Sequence, residues 1–439
     1  MMFRKETEFQ ETEIGKIPKD WKIEKLSSLA TIIMGQSPPS STYNREGKGL
    51  PFIQGKMEFR RMYPSPTMYT SRPLKIAEEG DILMSVRAPV GDVNIAPYKL
   101  CIGRGLAAVR FNSKVANNLF YFYYLQSIKS RLENLGKGST FKAITKKDLE
   151  ELRIVYPPLN EQKGVADILL MVDRGIEIVD KTVAKLERIK RALLNELLTG
   201  RIRVKEDDGK LTFYKETEFQ DTEIGEIPKE WEVVSLEDVS LTIRTGPFGS
   251  RLKKSELSES GIKVYTQENV LKNDFSLGNL YISYNKFEQL KNMEIKPGDV
   301  LLTIRGSIGY SAVFPEGAER GIIHTNLAYI RVKIGLLSPK YLSLLINYHS
   351  SIKSQLITLS SATTLGALYA KNIKKIKIPL PPLHEQQKIV EILSMIDKAI
   401  ELYRREKERF LHLRRGLMGV LLTGRVRVVS DVRDVGVVV

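Results

Sequence analysis

KETEFQETEIGKIPKDW, at Lys5–Trp21, returns as KETEFQDTEIGEIPKEW at Lys215–Trp231, with 14 of 17 positions identical. The match resumes farther along each half. PPLNEQKGVADILLMVDRGIE (Pro157–Glu177) is echoed by PPLHEQQKIVEILSMIDKAIE (Pro381–Glu401). LLTGRIRV (Leu197–Val204) is echoed by LLTGRVRV (Leu421–Val428). Between these anchors the halves diverge. A repeat of this length signals two copies of a domain pair, not a solenoid of short units. Duplicated ends around two different middles imply one kind of task done twice, on two different targets.

Each copy carries a long helical pattern. From Leu159 to about Thr199, apolar residues recur at alternating steps of four and three: Val165, Leu169, Val172, Ile176, Val179, Val183, Leu186, Leu193 and Leu197, broken only by Lys190. The second copy runs Ile389, Leu393, Ile396, Ile400, Tyr403, Phe410, Leu417 and Leu421, broken by Lys407 and Arg414. A heptad seam over about five repeats predicts a coiled coil. Its polar breaks either fix register or snorkel outward, and the snorkelling reading is preferred. Both helices start after Pro-Pro-Leu, with Glu161 and Glu385 in first turns where the helix dipole favours an anion. Both end at Leu-Leu-Thr-Gly, so Gly200 and Gly424 are the expected left-handed caps. At ~1.5 Å per residue, each helix of ~40 residues is ~60 Å long. The simplest way to bury the two seams is against each other. An antiparallel pairing is expected, with the variable domains at opposite ends of a rod.

The fold class expected is therefore α+β: two α/β domains alternating with two long helices that pair as an antiparallel coiled coil. The boundaries read as domain 1 over 1–157, helix 158–204, domain 2 over 205–381, helix 382–428 and a tail over 429–439. Within each middle a common skeleton is visible. A Trp opens a short amphipathic segment (Trp21–Ile33, Trp231–Ile243), followed by a Gly/Pro/Ser loop from Gly35 or Gly246. A strand follows with Gln54 or Gln267 at what reads as a matching position. GDILMSVRAPVGDV (Gly80–Val93) aligns with GDVLLTIRGSIGYS (Gly298–Ser311) as strand–turn–strand, and LAAVRF (Leu106) with LAYIRV (Leu327) as a further strand. Helices are predicted over Leu119–Leu132 and Lys340–Leu356. Loops on a common scaffold are where selectivity resides.

The chain has 439 residues, 68 Lys and Arg against 52 Asp and Glu, and a net charge of +16. That length implies about two to four domains. The positive excess favours a polyanionic partner, nucleic acid ahead of an acidic membrane. One cysteine, Cys101, excludes a disulfide framework and a multi-Cys metal site. The absence of a signal region or membrane span predicts a cytoplasmic protein.

There is no dinucleotide fingerprint, phosphate loop, HExxH or nucleophile elbow. GKGST at Gly136 lacks the upstream glycine of a phosphate loop. The four histidines, His324, His349, His384 and His412, read as structural or surface residues; His324 aligns with Gly103, so its role is not duplicated. What remains is a binding inventory. Arg87 and Arg305 occupy matching turns, where each could fork to guanine or simply brace the turn. Asn44, Arg45, Gln54, Lys56, Arg104, Lys142, Arg251, Lys253, Lys254, Gln267, Asn269 and Asn326 are polar residues in loops or at strand ends, suited to DNA contact or to solvent. Ser139, Thr140, Thr363 and Thr364 could donate to phosphates or cap a turn.

In order and duplication, these pieces resemble the specificity subunit of type I DNA restriction–modification enzymes. PPLNEQ, PPLHEQ, the two LLTGR endings and the GDILMSVR/GDVLLTIR pair carry the resemblance over nearly the whole chain. It implies that the middles are target-recognition domains, each reading one half of a split, asymmetric DNA site. It also implies that the helices set the gap and dock the modification subunits, two in number. Those partners would bring S-adenosylmethionine and adenine methylation; restriction subunits would bring ATP, Mg and translocation. The subunit itself would hold no cofactor, no metal and no catalytic residue. Two half-sites read from one side of a duplex lie about 34 Å, or about 10 bp, apart. The competing readings are a stand-alone nuclease, for which no metal site is visible, and a non-catalytic duplicated scaffold that binds only proteins.

Overall fold

The computed structural model describes residues 2–135, 143–248, 251–361 and 366–429. It divides into two compact units, Met1–Lys181 with Arg404–Val439, and Thr182–Tyr403. The strands Met2–Lys5 and Val426–Val429, which pair antiparallel, therefore belong to one unit. Each unit also holds the first part of one long helix and the last part of the other, since the helices span Leu159–Leu198 and Leu383–Leu421.

Inside each unit the helix segments run antiparallel. In the first unit, Arg414 Nε donates to Asp173 at 2.9 Å and Lys407 Nζ lies 2.6 Å from Asp180, so one number falls as the other rises. In the second, Lys190 meets Asp397 at 2.6 Å, while Leu194, Leu197 and Leu198 share a core with Ile389, Ile392 and Leu393. The three polar breaks thus form ion pairs across the helix pairing instead of snorkelling, which is the register-fixing alternative. Their carboxylate partners lie on the facing helix, beyond the reach of a heptad count on one strand. Val165, Leu169, Val172, Ile176, Val179, Ile389, Leu393 and Ile400 are buried; Val183, Leu186, Ile396 and Phe410 are half-buried. Tyr403 is 38% exposed and sits at the rim of the pairing, a position that suits a ring with a polar tip.

Each middle is built on an antiparallel four-stranded sheet. In the first unit its order is Val93–Ile95, Ile82–Ser85, Leu106–Phe111, Ala30–Met34. In the second the same order, reversed in description, is Ser240–Thr245, Leu327–Val332, Val300–Thr303, Ser311–Val313. A second, mixed sheet in each carries one parallel pairing, Leu50–Ile53 with Leu100–Ile102 and Ile262–Tyr265 with Gly321–Ile323. The aspartate of each GD segment proves to be a brace for the arginine of the neighbouring LAAVRF or LAYIRV strand. Asp81 accepts a bidentate pair from Arg110, and Asp299 accepts one from Arg331. Both aspartates are buried. The predicted single helices are each two: Asn118–Ser127 then Lys129–Leu135, and Pro339–Tyr348 then Ser350–Ser361.

The duplicated motifs converge on one ion-pair cluster per unit. Arg427 donates to Glu161 from Nε and Nη2 at 2.6 and 2.7 Å, to Glu6 at 2.6 Å, and to Asp20 at 2.9 and 2.7 Å. Trp21 Nε1 donates to the same Glu161 at 3.0 Å. Arg203 repeats the pattern with Glu385, Glu216, Glu230 and Trp231. Burial disfavours the charge on either guanidinium, yet hydrogen bonds to the carboxylates outweigh it and hold both arginines firmly protonated. The adjacent glutamines act as staples. Gln162 takes the Asn117 N–H and donates to Pro157 O; Gln386 takes the Ser338 N–H and donates to Pro381 O. Gly424, at φ +68, closes the second helix where a Cβ would fall 2.4 Å from Pro18. Gly200 does the same against Pro228. The first-turn glutamates are therefore more than dipole anions: each holds the strand that follows one long helix to the start of the other.

Candidate nucleic-acid interface

In both units the turn bearing the matched arginine is fixed by the same three backbone bonds. Val86 N–H donates to Gly105 O, Ile144 N–H to Val86 O, and Gly103 N–H to Ile53 O. In the second unit Ile304 N–H donates to Asn326 O, Leu368 N–H to Ile304 O, and His324 N–H to Tyr265 O. These equivalences set the alignment of the two middles. Arg87 matches Arg305, Gly103 matches His324, and Gly35, whose Cβ would strike Gly103 O, matches Gly246, whose Cβ would strike His324 O. They also correct one sequence match. The parallel pairings Ile102↔Ile53 and Ile323↔Tyr265 put Thr266, not Gln267, opposite Gln54; Gln267 falls opposite Gly55.

On this shared frame the side chains differ. In the second unit Arg305 is half-buried, its guanidinium 4.6 Å from the centre of the Phe248 ring. Its Nε is buried with no hydrogen-bond partner among the described residues, as are Gln267 Oε1 and His324 Nδ1. A Cβ on neighbouring Gly306 would lie 3.7 Å from that Gln267 oxygen. Burial pushes the His324 imidazole below its ordinary range, so the ring stays neutral. In the first unit the turn is open: Arg87 and Gln54 are exposed, and Ser37 stands where the second unit has Phe248, its Oγ accepting the Arg104 N–H at 3.3 Å.

The remaining candidates scatter. Arg45, Arg104, Arg251, Lys253 and Lys254 are exposed. Lys56 pairs with Asp92 at 2.6 Å, and Lys129 pairs with the same carboxylate at 2.8 Å. Burial disfavours the Asp92 charge, but the two lysines hold its carboxyl below the usual range. Asn44 is taken up in its own turn, donating to Lys48 O and accepting from Glu46 and Lys48 N–H. Asn269 is buried and organises the backbone at Thr266, Asp274 and Leu277. Asn326 is half-buried beside Thr325 and supplies its carbonyl to the turn. Ser139, Thr140, Lys142, Thr363 and Thr364 lie outside the described residues. The sequence reads His324 as a structural or surface residue and does not single out Phe248; neither has a counterpart in the other half.

Among the described residues no group of three or more His, Cys, Asp or Glu side chains is placed to hold a metal, and no helix is long and apolar enough to cross a membrane.

Comparison with known proteins agrees with this architecture. The family model described as type I restriction modification DNA specificity domain matches residues 18–188 and again 228–410. The type I restriction enzyme MjaVIII specificity subunit of Methanocaldococcus jannaschii is 27% identical over 441 residues, covering 98% of each chain. The putative MjaX specificity subunit of the same organism is 56% identical over 199 residues, spanning 45% of this chain and 47% of that relative. The EcoBI specificity subunit of Escherichia coli is 24% identical over 87% of this chain and 80% of its own. In fold, the chain is similar to a type I S subunit from M. genitalium, with TM-score 0.55, 16% identity, and 92% and 96% of the two chains covered. A doubled recognition frame, a doubled helix lock and a doubled family match lead to one conclusion: the chain belongs to the type I restriction–modification DNA specificity family.

Proposed function

We propose that this specificity subunit reads a bipartite, asymmetric DNA sequence, one half-site per unit, within a type I restriction–modification assembly. The observation that supports it best is the pair of equivalent turns. Val86/Arg87 and Ile304/Arg305 are held by the same backbone bonds, yet Phe248 lies against Arg305 where the first unit has Ser37, and His324 stands where the first unit has Gly103. One frame with two different side-chain sets suits two different half-sites. The long helices set the gap between half-sites and dock two adenine-methylating modification subunits. Those partners carry S-adenosylmethionine; restriction subunits carry ATP, Mg and the translocase. This chain contributes recognition alone and acts in the cytoplasm. The net charge of +16 suits attraction to phosphate, which makes binding fall as salt rises.

The test is co-expression with a neighbouring adenine methyltransferase subunit and genome-wide mapping of methylated adenines. A split, asymmetric motif with a fixed gap is expected, and exchanging residues 18–156 should change one half only. A stable complex on DNA that methylates without sequence preference would overturn the reading. A complex with protein partners and no salt-dependent DNA affinity would favour the protein-binding scaffold.

A further inference from the structure

We infer that Arg305 is a base-reading residue that selects a guanine in the half-site of the second unit, whereas its counterpart Arg87 makes a sequence-independent phosphate contact. The inference rests on the half-site reading above and gives each arginine a separate job.

Three features set Arg305 apart. First, it is pre-positioned. The face of Phe248 at 4.6 Å restrains the guanidinium plane, as cations over aromatic rings commonly are. Phe248 in turn lies 5.9 Å from Tyr369, so the ring is itself backed by an aromatic neighbour. Second, its Nε is buried. The two Nη groups are the ends left for a ligand, and together they form the parallel fork that matches guanine O6 and N7 in the major groove. Third, buried polar atoms on the elements that hold the turn lack partners. Gln267 Oε1 and His324 Nδ1 are buried without partners among the described residues, and the Gln267 oxygen sits beside the Gly306 position. A site whose polar groups are satisfied only by the right ligand rejects the wrong one strongly.

Arg87 has none of these. It is exposed, Ser37 replaces the ring, and Gly103 replaces the imidazole. A long, unrestrained arginine on an exposed turn gains most from a phosphate, which attracts it without demanding one orientation. His324 and Phe248 thereby convert a shared, positioning arginine into a discriminating one.

The experiment compares Arg305→Ala, Arg305→Lys, His324→Gly and Arg87→Ala in the complex with the modification subunit. Its readouts are methylome mapping and binding to duplexes varied one base at a time. The unaltered complex must first give a split motif; if it gives none, the half-site reading has failed and not the assignment of Arg305. Arg305→Ala is expected to relax one G·C position in one half-site, lowering discrimination there by about 5- to 150-fold, with the other half-site intact. Retained reading of the remaining bases in the same half-site shows that the second unit of the variant is folded. Arg305→Lys keeps the charge but loses the fork and should relax the same position; His324→Gly should do so partially. Arg87→Ala should weaken binding evenly across sequences and reduce the salt slope by about one. An even loss from Arg305→Ala, with every base preference retained, would overturn the proposal, as would relaxation of a single base by Arg87→Ala.

Discussion

Arg427 Nε lies 2.6 Å from Glu161 Oε1, across 266 residues of chain. That bond ties the last described strand to the first turn of a helix begun more than half the sequence earlier. Arg427 and Glu161 are 8% and 6% exposed, and Glu6, the third member, is 8% exposed. Removing one side of a buried ion pair strands the other, at a cost of about 3–5 kcal/mol. Asp20, 56% exposed, adds little. Arg427→Ala is therefore expected to destabilise the first unit by about 3 kcal/mol or more while leaving the second intact. Arg203→Ala should do the reverse. Hydrogen exchange followed unit by unit in urea reads this directly, and a loss under about 1 kcal/mol in both would show that the cluster is not structural.

The same cluster shows what the sequence disclosed and what it withheld. Repeats, helix limits, cap glycines and the paired strand–turn–strand segments follow from local periodicity and turn chemistry, and the fold class was legible from them. The role of KETEFQ, PKDW, PPLNEQ and LLTGRVRV was not. Their purpose is mutual, and Glu6, Asp20, Glu161 and Arg427 meet only in three dimensions. The Lys190, Lys407 and Arg414 breaks were opaque for the same reason, since each partner sits on the other helix. The residues proposed to read DNA were the least legible. A one-residue register offset hid the Gln54–Thr266 equivalence, and His324, which occurs in one half alone, carries no repeat signal.

Close approach in the helix pair gives a second expectation. A Cβ at Gly175 would lie 3.1 Å from two atoms of the Phe410 ring. Glycine inside a helix ordinarily costs about 1 kcal/mol relative to alanine. Gly175→Ala should come out near neutral, since that gain offsets a small shift of the ring tip. Gly175→Leu overfills the site and should cost about 1–3 kcal/mol. Pairing it with Phe410→Ala should recover part of the loss. If the two changes add with no coupling in a double-mutant cycle, the two helices do not meet at these residues.

A third expectation concerns acid. His349 is 5% exposed, and burial pushes its imidazole from the ordinary 6.5 down to about 4. A base with a depressed folded pKa binds protons more readily when unfolded. Stability is then fully present above pH 6.5 and declines as the pH falls toward 4. Complete loss of this contribution is on the order of 3 kcal/mol. His349→Gln should flatten the pH dependence of the second unit between pH 6.5 and 4, leaving that of the first unchanged. An unaltered slope in urea titrations across that window would place the acid sensitivity elsewhere.

The helix seam provides the last and broadest test. Ile176 is fully buried within the first unit, in the stripe that also holds Val172 and Val179. Ile176→Asp places an uncompensated carboxylate in that stripe, and charges buried without a partner are among the few substitutions that cost several kcal/mol. If the helices serve as spacer and docking surface, the damage cannot be confined to one half-site. Methylation should fall at every target, with assembly of the modification subunits reduced in parallel on size-exclusion chromatography. Arg305→Ala, by contrast, should leave assembly intact and alter one base position. Full assembly and an unchanged split motif in Ile176→Asp would remove the helices from the mechanism and leave the gap between half-sites to be set by some other part of the complex.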